Sequence, residues 1–183
     1  MNHSLKKKYQ TEVIPKLKAK FGYRNNLAVP KLIKVNLNVG INARNTETNY
    51  LDAVENTLKK ITGQKPIRTK ARQAISAFKI KENMVVGVAV TLRGRRMYDF
   101  LDKLINISLP RVRDFRGLPI KNIDCNGNLS LGFKEHNVFP EIKSDEIERL
   151  HGLQISIATT APSREVGEEL FRLLGFPIQK RDK

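Results

Sequence analysis

The sequence predicts an α+β fold: an antiparallel sheet with helices packed on one face and an open, basic face on the other. Three observations point there. Several short segments alternate apolar and polar residues and are bounded by Gly, Pro or Asn, as strands are. Longer stretches repeat their apolar residues every three to four positions, the period of a helix packed along one side. Strands also outnumber what a βαβ crossover pattern needs. With 183 residues and 40% apolar side chains, the chain is long enough for one domain with a proper core, and a single domain over 1–183 is the expectation.

Residues 5–21 read as a helix with Leu5, Tyr9, Val13 and Leu17 on one stripe, and Pro15 either kinks it or starts a second short helix. "KLIKVNLNVG" (31–40) alternates, with Ile33, Val35, Leu37 and Val39 on one face and Lys34, Asn36 and Asn38 on the other. Residues 46–62 are helical through Leu51, Val54, Leu58 and Ile61, with Asn45 or Thr46 as cap and Gly63 as stop. Extended segments at 66–70 and 74–81 flank a basic stretch, giving a hairpin over 70–82. "VVGVAVTL" (85–92) adds a strand with Val86, Val88, Val90 and Leu92 on one face. A helix over 94–107 carries Met97, Phe100, Leu101 and Leu104, and Pro110 closes it. "PRVRDFRGLP" and "DCNGN" have loop composition. Strands at 129–133 and 153–160 follow, then a helix over 163–174 capped by Ser163 and stopped by Gly175.

Lysine and arginine number 34 against 18 acids, a net charge of +16, and so large a surplus on so small a body serves a polyanion, either nucleic acid or an anionic membrane. Residues 1–122 hold 26 basic and 8 acidic side chains, whereas 123–183 hold 8 and 10, so a basic portion is followed by a mildly acidic one. Residues 56–81 contain eight cations and no acid. The longest apolar run, "MVVGVAV" (84–90), is far below the roughly 18 residues a membrane span needs, and no apolar region follows the lysines of "MNHSLKKKYQ". Cys125 stands alone, which fits a reducing compartment. A soluble intracellular protein is expected.

The joint "VTLRGRRMYDFL" (90–101) sets Arg93, Arg95 and Arg96 around Gly94 where a strand passes into a helix. Glycine lets backbone approach a ligand, the first helical N–H groups face outward and arginines add forked donors, so phosphate is the natural partner. A solvated basic face is the alternative. Asn36 and Asn38 share a strand face, and amides meet base edges, ribose hydroxyls and phosphates alike; simple edge polarity is the other reading. Gln64, Lys65, Arg68, Lys70, Arg72, Lys79 and Lys81 extend the surface into the hairpin, where solvated charge also explains any one of them. Catalysis has little support. His3, His136 and His151 lack metal-ligand spacing, and Cys125 reads as a small filler. Asp124, Asn126, Asn128 and Glu135 imitate a calcium loop, but Leu129 stands where glycine is required. No metal and no cofactor are expected. "PEIKSDEIERL" (140–150) is either a solvated turn or a contact for a basic protein.

"ITGQKP" (61–66), "KAR" (70–72), "FKI" (78–80), "VTLRGRRMYDFLDKLI" (90–105), "LPRVRDFRGL" (109–118), "FPEI" (139–142) and "GFP" (175–177) together resemble the bacterial-type ribosomal protein family that binds 5S rRNA in the large subunit, the universal family numbered five. The resemblance runs from about residue 6 to 180, in order. It implies a structural role in translation without enzymatic activity. It implies 5S rRNA held on the open sheet face and attached to 23S rRNA in the central protuberance, beside neighbouring large-subunit proteins. Mapped onto this sequence, the rRNA-binding set is Asn36, Asn38, Gln64, Lys65, Thr91, Arg93, Gly94, Arg95 and Arg96. The hairpin set facing the P-site tRNA is Lys70, Arg72, Gln73, Lys79 and Lys81. An intersubunit bridge to a basic small-subunit head protein would use Arg111, Arg113, Asp114, Arg116, Glu141, Asp145 and Glu146. The implied location is a cytoplasmic ribosome or that of an organelle. Three places depart from the family's pattern: Gly40 is followed by "INARN" rather than a glycine-rich turn, "DCNGN" (124–128) replaces Asp-Gly-Arg-Gly-Asn, and His136 stands for the usual glutamine. A free RNA-binding or assembly factor and an RNA-modifying enzyme remain as rivals, the latter far behind.

Overall fold

Leu5, Tyr9, Val13 and Leu17 lie on one side of a continuous helical run, and all four are buried. The computed structural model describes residues 5–42, 48–142 and 150–179. The run comprises α1 (Leu5–Lys8), a π-helical turn (Tyr9–Val13) and α2 (Ile14–Phe21). Pro15 sits in the first turn of α2, where a missing N–H costs least, and the π turn before it resolves the kink that the sequence raises. The remaining helices are α3 (Thr48–Thr62), α4 (Gly94–Lys103) and α5 (Arg164–Leu174). Strands β1 (Leu32–Gly40), β2 (Ile67–Lys70), β3 (Val85–Leu92), β4 (Leu129–Phe133) and β5 (Leu153–Thr159) make one five-stranded antiparallel sheet in the order β2-β3-β1-β5-β4. This is the α+β class that the alternation predicts.

By internal packing the residues fall into two compact units. One comprises Met1–Val35, Leu92–Leu131 and Ser156–Lys183; the other comprises Asn36–Thr91 and Gly132–Ile155. In the first, α1 packs on α4 and the π turn on α5. Tyr9 donates to the Pro30 carbonyl at 2.9 Å, and its burial, with Tyr98 nearby, pushes its phenol up to about 12. Met97, Phe100, Leu101 and Leu104 are buried as the helical spacing requires. The helical path nevertheless runs on through a π turn (Leu104–Ser108) and a 3-10 turn (Leu109–Arg111) that contains Pro110, so the proline lies inside the last turn rather than beyond the helical end. Ser163 occupies the cap position of α5 without a side-chain capping bond, and α5 ends at left-handed Gly175. The loop before β4 is a clip. Asp124 accepts from the Asn128 backbone at 2.7 Å and from its side-chain amide at 2.8 Å, while Asn128 Oδ1 accepts from Thr159 N at 2.9 Å. Those carboxylate and amide oxygens are committed to protein donors, so the calcium-like spacing serves folding.

In the second unit, Leu51, Val54, Leu58 and Ile61 of α3 are buried, and Gly63, at φ 65°, stops the helix. The expected caps Asn45 and Thr46 lie outside the described residues. Two expectations need correction. Ile33, in the first unit, is 39% exposed while Leu32 is buried, so the alternation of β1 becomes regular only from Val35 onward. Residues 74–81 are not a strand. Ile75 and Ile80 exchange backbone hydrogen bonds around a 3-10 turn (Ser76–Phe78) closed by left-handed Lys79, because so short a bend cannot extend both of its arms. The hairpin itself exists: β2 pairs with β3, with Thr69 opposite Gly87 and an irregularity between Thr69 and Lys70.

Candidate nucleic-acid interface

Alternation along β1 buries Val35, Leu37 and Val39 and leaves Lys34, Asn36 and Asn38 half-buried on the other side. Thr91, exposed near the end of β3, donates its hydroxyl to Asn36 Oδ1 at 2.9 Å. Gln64, just beyond the stop of α3, donates Nε2 to the Thr91 carbonyl at 3.2 Å. Three of the residues singled out from the sequence are thus one hydrogen-bonded row. Its geometry is specific: with Asn36 Oδ1 occupied, the amide's N–H groups remain to donate outward to acceptors such as base edges or phosphate oxygens. Lys65 is exposed beside Gln64 in the chain. Asn38 lies beside Gly87, where an added Cβ would come within 2.9 Å of both Thr69 Oγ1 and the Val39 carbonyl. Thr69 and Gly87 escape the sequence reading, although a glycine in the middle of "VVGVAV" signals close backbone approach.

In the first unit, α4 begins without a side-chain cap. Arg93 holds the cap position in extended conformation with no side-chain capping bond, and the first turn contains no acid. Gly94 adopts φ 58°, a conformation that side chains resist, with open space around its α-carbon. Arg93, Arg95 and Arg96 are exposed, and Arg95 makes only a loose 3.6 Å pair with Asp99 one turn on. Free helical N–H groups, the positive end of the helix dipole and three guanidinium groups all favour an anion.

The hairpin of the second unit presents Lys70, Arg72, Gln73, Lys79 and Lys81 to solvent. Phe78 is 68% exposed among them. Arg68 does not join this set. Its guanidinium pairs with Asp52 and, at 2.9 Å, with Glu55, both on α3, and these hydrogen bonds, Glu55's first, raise its already high pKa. Arg68 therefore fastens β2 to α3.

The described residues expected to meet a protein partner are divided between the two units. Arg111, Arg113, Asp114 and Arg116 are exposed in a loop of the first unit, whereas Glu141 is half-buried in the second; Asp145 and Glu146 lie outside the described residues. His136 and His151 in the second unit are buried and stacked, with ring centroids 3.9 Å apart and planes within 9°. His136 Nδ1 accepts from the His151 backbone N–H at 3.3 Å. Burial lowers both imidazoles, that of His151 to about 4 with His136 adding to the effect. Among the described residues no three His, Cys, Asp or Glu converge as a metal site, and no helix is long and apolar enough to cross a membrane. His3 lies outside them.

Comparison with known proteins places these features in a family. Residues 25–81 match the family described as Ribosomal protein L5, and residues 85–178 match the ribosomal L5P family C-terminus. Proteins named "Large ribosomal subunit protein uL5" are similar over nearly their whole length. That of Microcystis aeruginosa is 48% identical across 98% of this chain and 100% of its own. That of Natranaerobius thermophilus is 52% identical across 93% and 95%. That of Streptococcus pyogenes is 47% identical across 98% and 100%.

Proposed function

The chain belongs to the ribosomal protein L5 family, and from that premise we propose that it is a structural constituent of the large ribosomal subunit that binds 5S rRNA and attaches it to 23S rRNA in the central protuberance. The observation that carries the reading is the row Gln64, Thr91 and Asn36, whose last strand runs on within two residues into the arginine-flanked start of α4. Arg93, Arg95, Arg96 and Lys65 neutralise phosphate, which fixes affinity; Asn36, Asn38, Gln64 and Thr91 read a folded RNA surface, which fixes preference. The exposed hairpin cations Lys70, Arg72, Lys79 and Lys81, with Gln73, suit the P-site tRNA. Glu141, with the acidic sequence that follows it, suits a basic small-subunit head protein. The protein performs no chemistry in this reading.

A gel-shift titration against 5S rRNA, with tRNA of similar size as competitor and at two salt concentrations, tests it. Six phosphate contacts, Lys70 and Arg72 of the hairpin joining Arg93, Arg95, Arg96 and Lys65, predict roughly a thousandfold loss of affinity from low to moderate salt. Arg93→Ala should weaken binding to both RNAs, and Asn38→Ala should reduce only the preference for 5S rRNA. Equal, salt-insensitive binding of both RNAs by the wild-type protein would overturn the reading. Failure to sediment stoichiometrically with large subunits would favour a free RNA-binding factor.

A further inference from the structure

Between the first turn of α3 and the chain that enters β3 lies a groove of about 530 Å³, contained within the second unit. A ring system or short acyl chain with one attached group fits such a volume. Its apolar wall is Leu51 of α3 with Met84 and Val85. Lys79, Lys81, Glu82 and Asn83 complete the lining, and all four are exposed. Among the described residues neither lysine pairs with a carboxylate. The backbone is bent to leave this space. Of the three non-glycine residues at positive φ among the described residues, two line the groove: Lys79 at 55° and Asn83 at 63°. Such conformations persist only where surrounding contacts over-determine them, and they gather at ligand sites. Here Lys79 N donates to the Ser76 carbonyl at 3.0 Å, Asn83 N to the Ala71 carbonyl at 3.0 Å, and Ala71 N to the Met84 carbonyl at 2.8 Å. These bonds pin the segment and leave the groove preformed.

We propose that this groove binds a small organic anion, with a flat aromatic or short acyl body against Leu51, Met84 and Val85 and a single anionic group held by Lys79 and Lys81. Phosphate, sulfonate and carboxylate share the chemistry that two ammonium groups recognise. Glu82 offsets one of the two lysine charges, so the rim suits one anionic head and not a run of phosphates. The Asn83 amide offers both a donor and an acceptor to a polar group on the body. A preformed groove loses little conformational freedom when it fills. Lys79 and Lys81 also belong to the set assigned above to tRNA, so the measurement is made on the protein free of RNA.

The probe is anilinonaphthalene sulfonate, whose fluorescence rises when its rings leave water, titrated into the folded full-length protein. One molecule is expected to bind per chain with a Kd on the order of tens of micromolar, as suits a ligand of about twenty non-hydrogen atoms. Lys79→Gln combined with Lys81→Gln should weaken binding about tenfold. Lys6→Gln combined with Lys7→Gln removes the same net charge from exposed lysines of the first unit and should leave binding unchanged. Phenylnaphthylamine, which has the same rings without the sulfonate, should bind the wild type and both double variants alike, and Met84→Gln should weaken both dyes. Equal weakening of the sulfonate dye by the two lysine pairs would overturn the proposal and leave only the general attraction of an anion to a basic protein. No binding by the wild type, or binding that neither the Lys79 and Lys81 pair nor Met84→Gln alters, overturns it as well.

Discussion

Two glycines show how differently a single residue is constrained. At Gly87 the obstacle is a neighbour: a Cβ would lie 2.9 Å from the Val39 carbonyl, a backbone atom in the centre of the sheet that cannot swing aside. Gly87→Ala is expected to destabilise by about 1–3 kcal/mol through overpacking. At Gly94 the space is open and the obstacle is φ 58°, so Gly94→Ala costs about 1–2 kcal/mol and Gly94→Asn less. Urea denaturation separates the cases: if asparagine rescues position 87 as well as 94, steric contact is not the cause at 87. Thr91 is constrained through its partner. Thr91→Val keeps the shape and removes the hydroxyl that orients Asn36, so preference for 5S rRNA over tRNA should fall while the salt slope stays. A changed slope with unchanged preference would mean that the row holds phosphate and reads nothing.

Between elements, the decisive contact is Arg68 of β2 with Asp52 and Glu55 of α3. A cation neutralised within the protein releases no counterion from RNA, so Arg68→Gln should leave the salt slope of RNA binding unchanged, whereas Arg72→Gln should lower it by about one. Equal effects would show that Arg68 leaves its carboxylates for RNA. Because this pair joins residues 13 and 16 positions apart in sequence, no local spacing announces it, and Arg68 reads from sequence as one more hairpin cation. Helices were legible because burial follows their period: Leu51, Val54, Leu58 and Ile61 needed only counting. The arm at 74–81 was not legible as a bend, since "AISAFKI" imitates strand alternation, yet Ile75 and Phe78 are exposed and left-handed Lys79 turns the chain. Asn36, Thr91 and Gln64 could be named from residue type, but their joining into one row depends on the register of β3 beside β1, which a single sequence does not fix.

On the scale of the whole molecule, charge and proton uptake are divided along the chain: the surplus of cations lies in 1–122, while the buried imidazole pair lies at 136 and 151. Burial favours the neutral form of both rings in the folded protein, and the backbone hydrogen bond with His151 and the charge of Glu135, which oppose this at His136, do not reverse it. The unfolded chain takes up protons at the ordinary imidazole value near 6.5. Between there and about 4 the unfolded state therefore binds more protons than the folded one, so stability is full above 6.5, falls as pH drops through that window and levels off below it. For His151 alone the loss is on the order of 3 kcal/mol. His151→Phe keeps an aromatic ring for the stack and removes the base, so its stability should depend less on pH than that of the wild type between 6.5 and 4.5. The acidic groups shared by both proteins cancel in this comparison, as does the general repulsion of so many cations. Chemical denaturation at the two pH values measures the difference, and parallel losses in both proteins would place the proton uptake elsewhere than at His151.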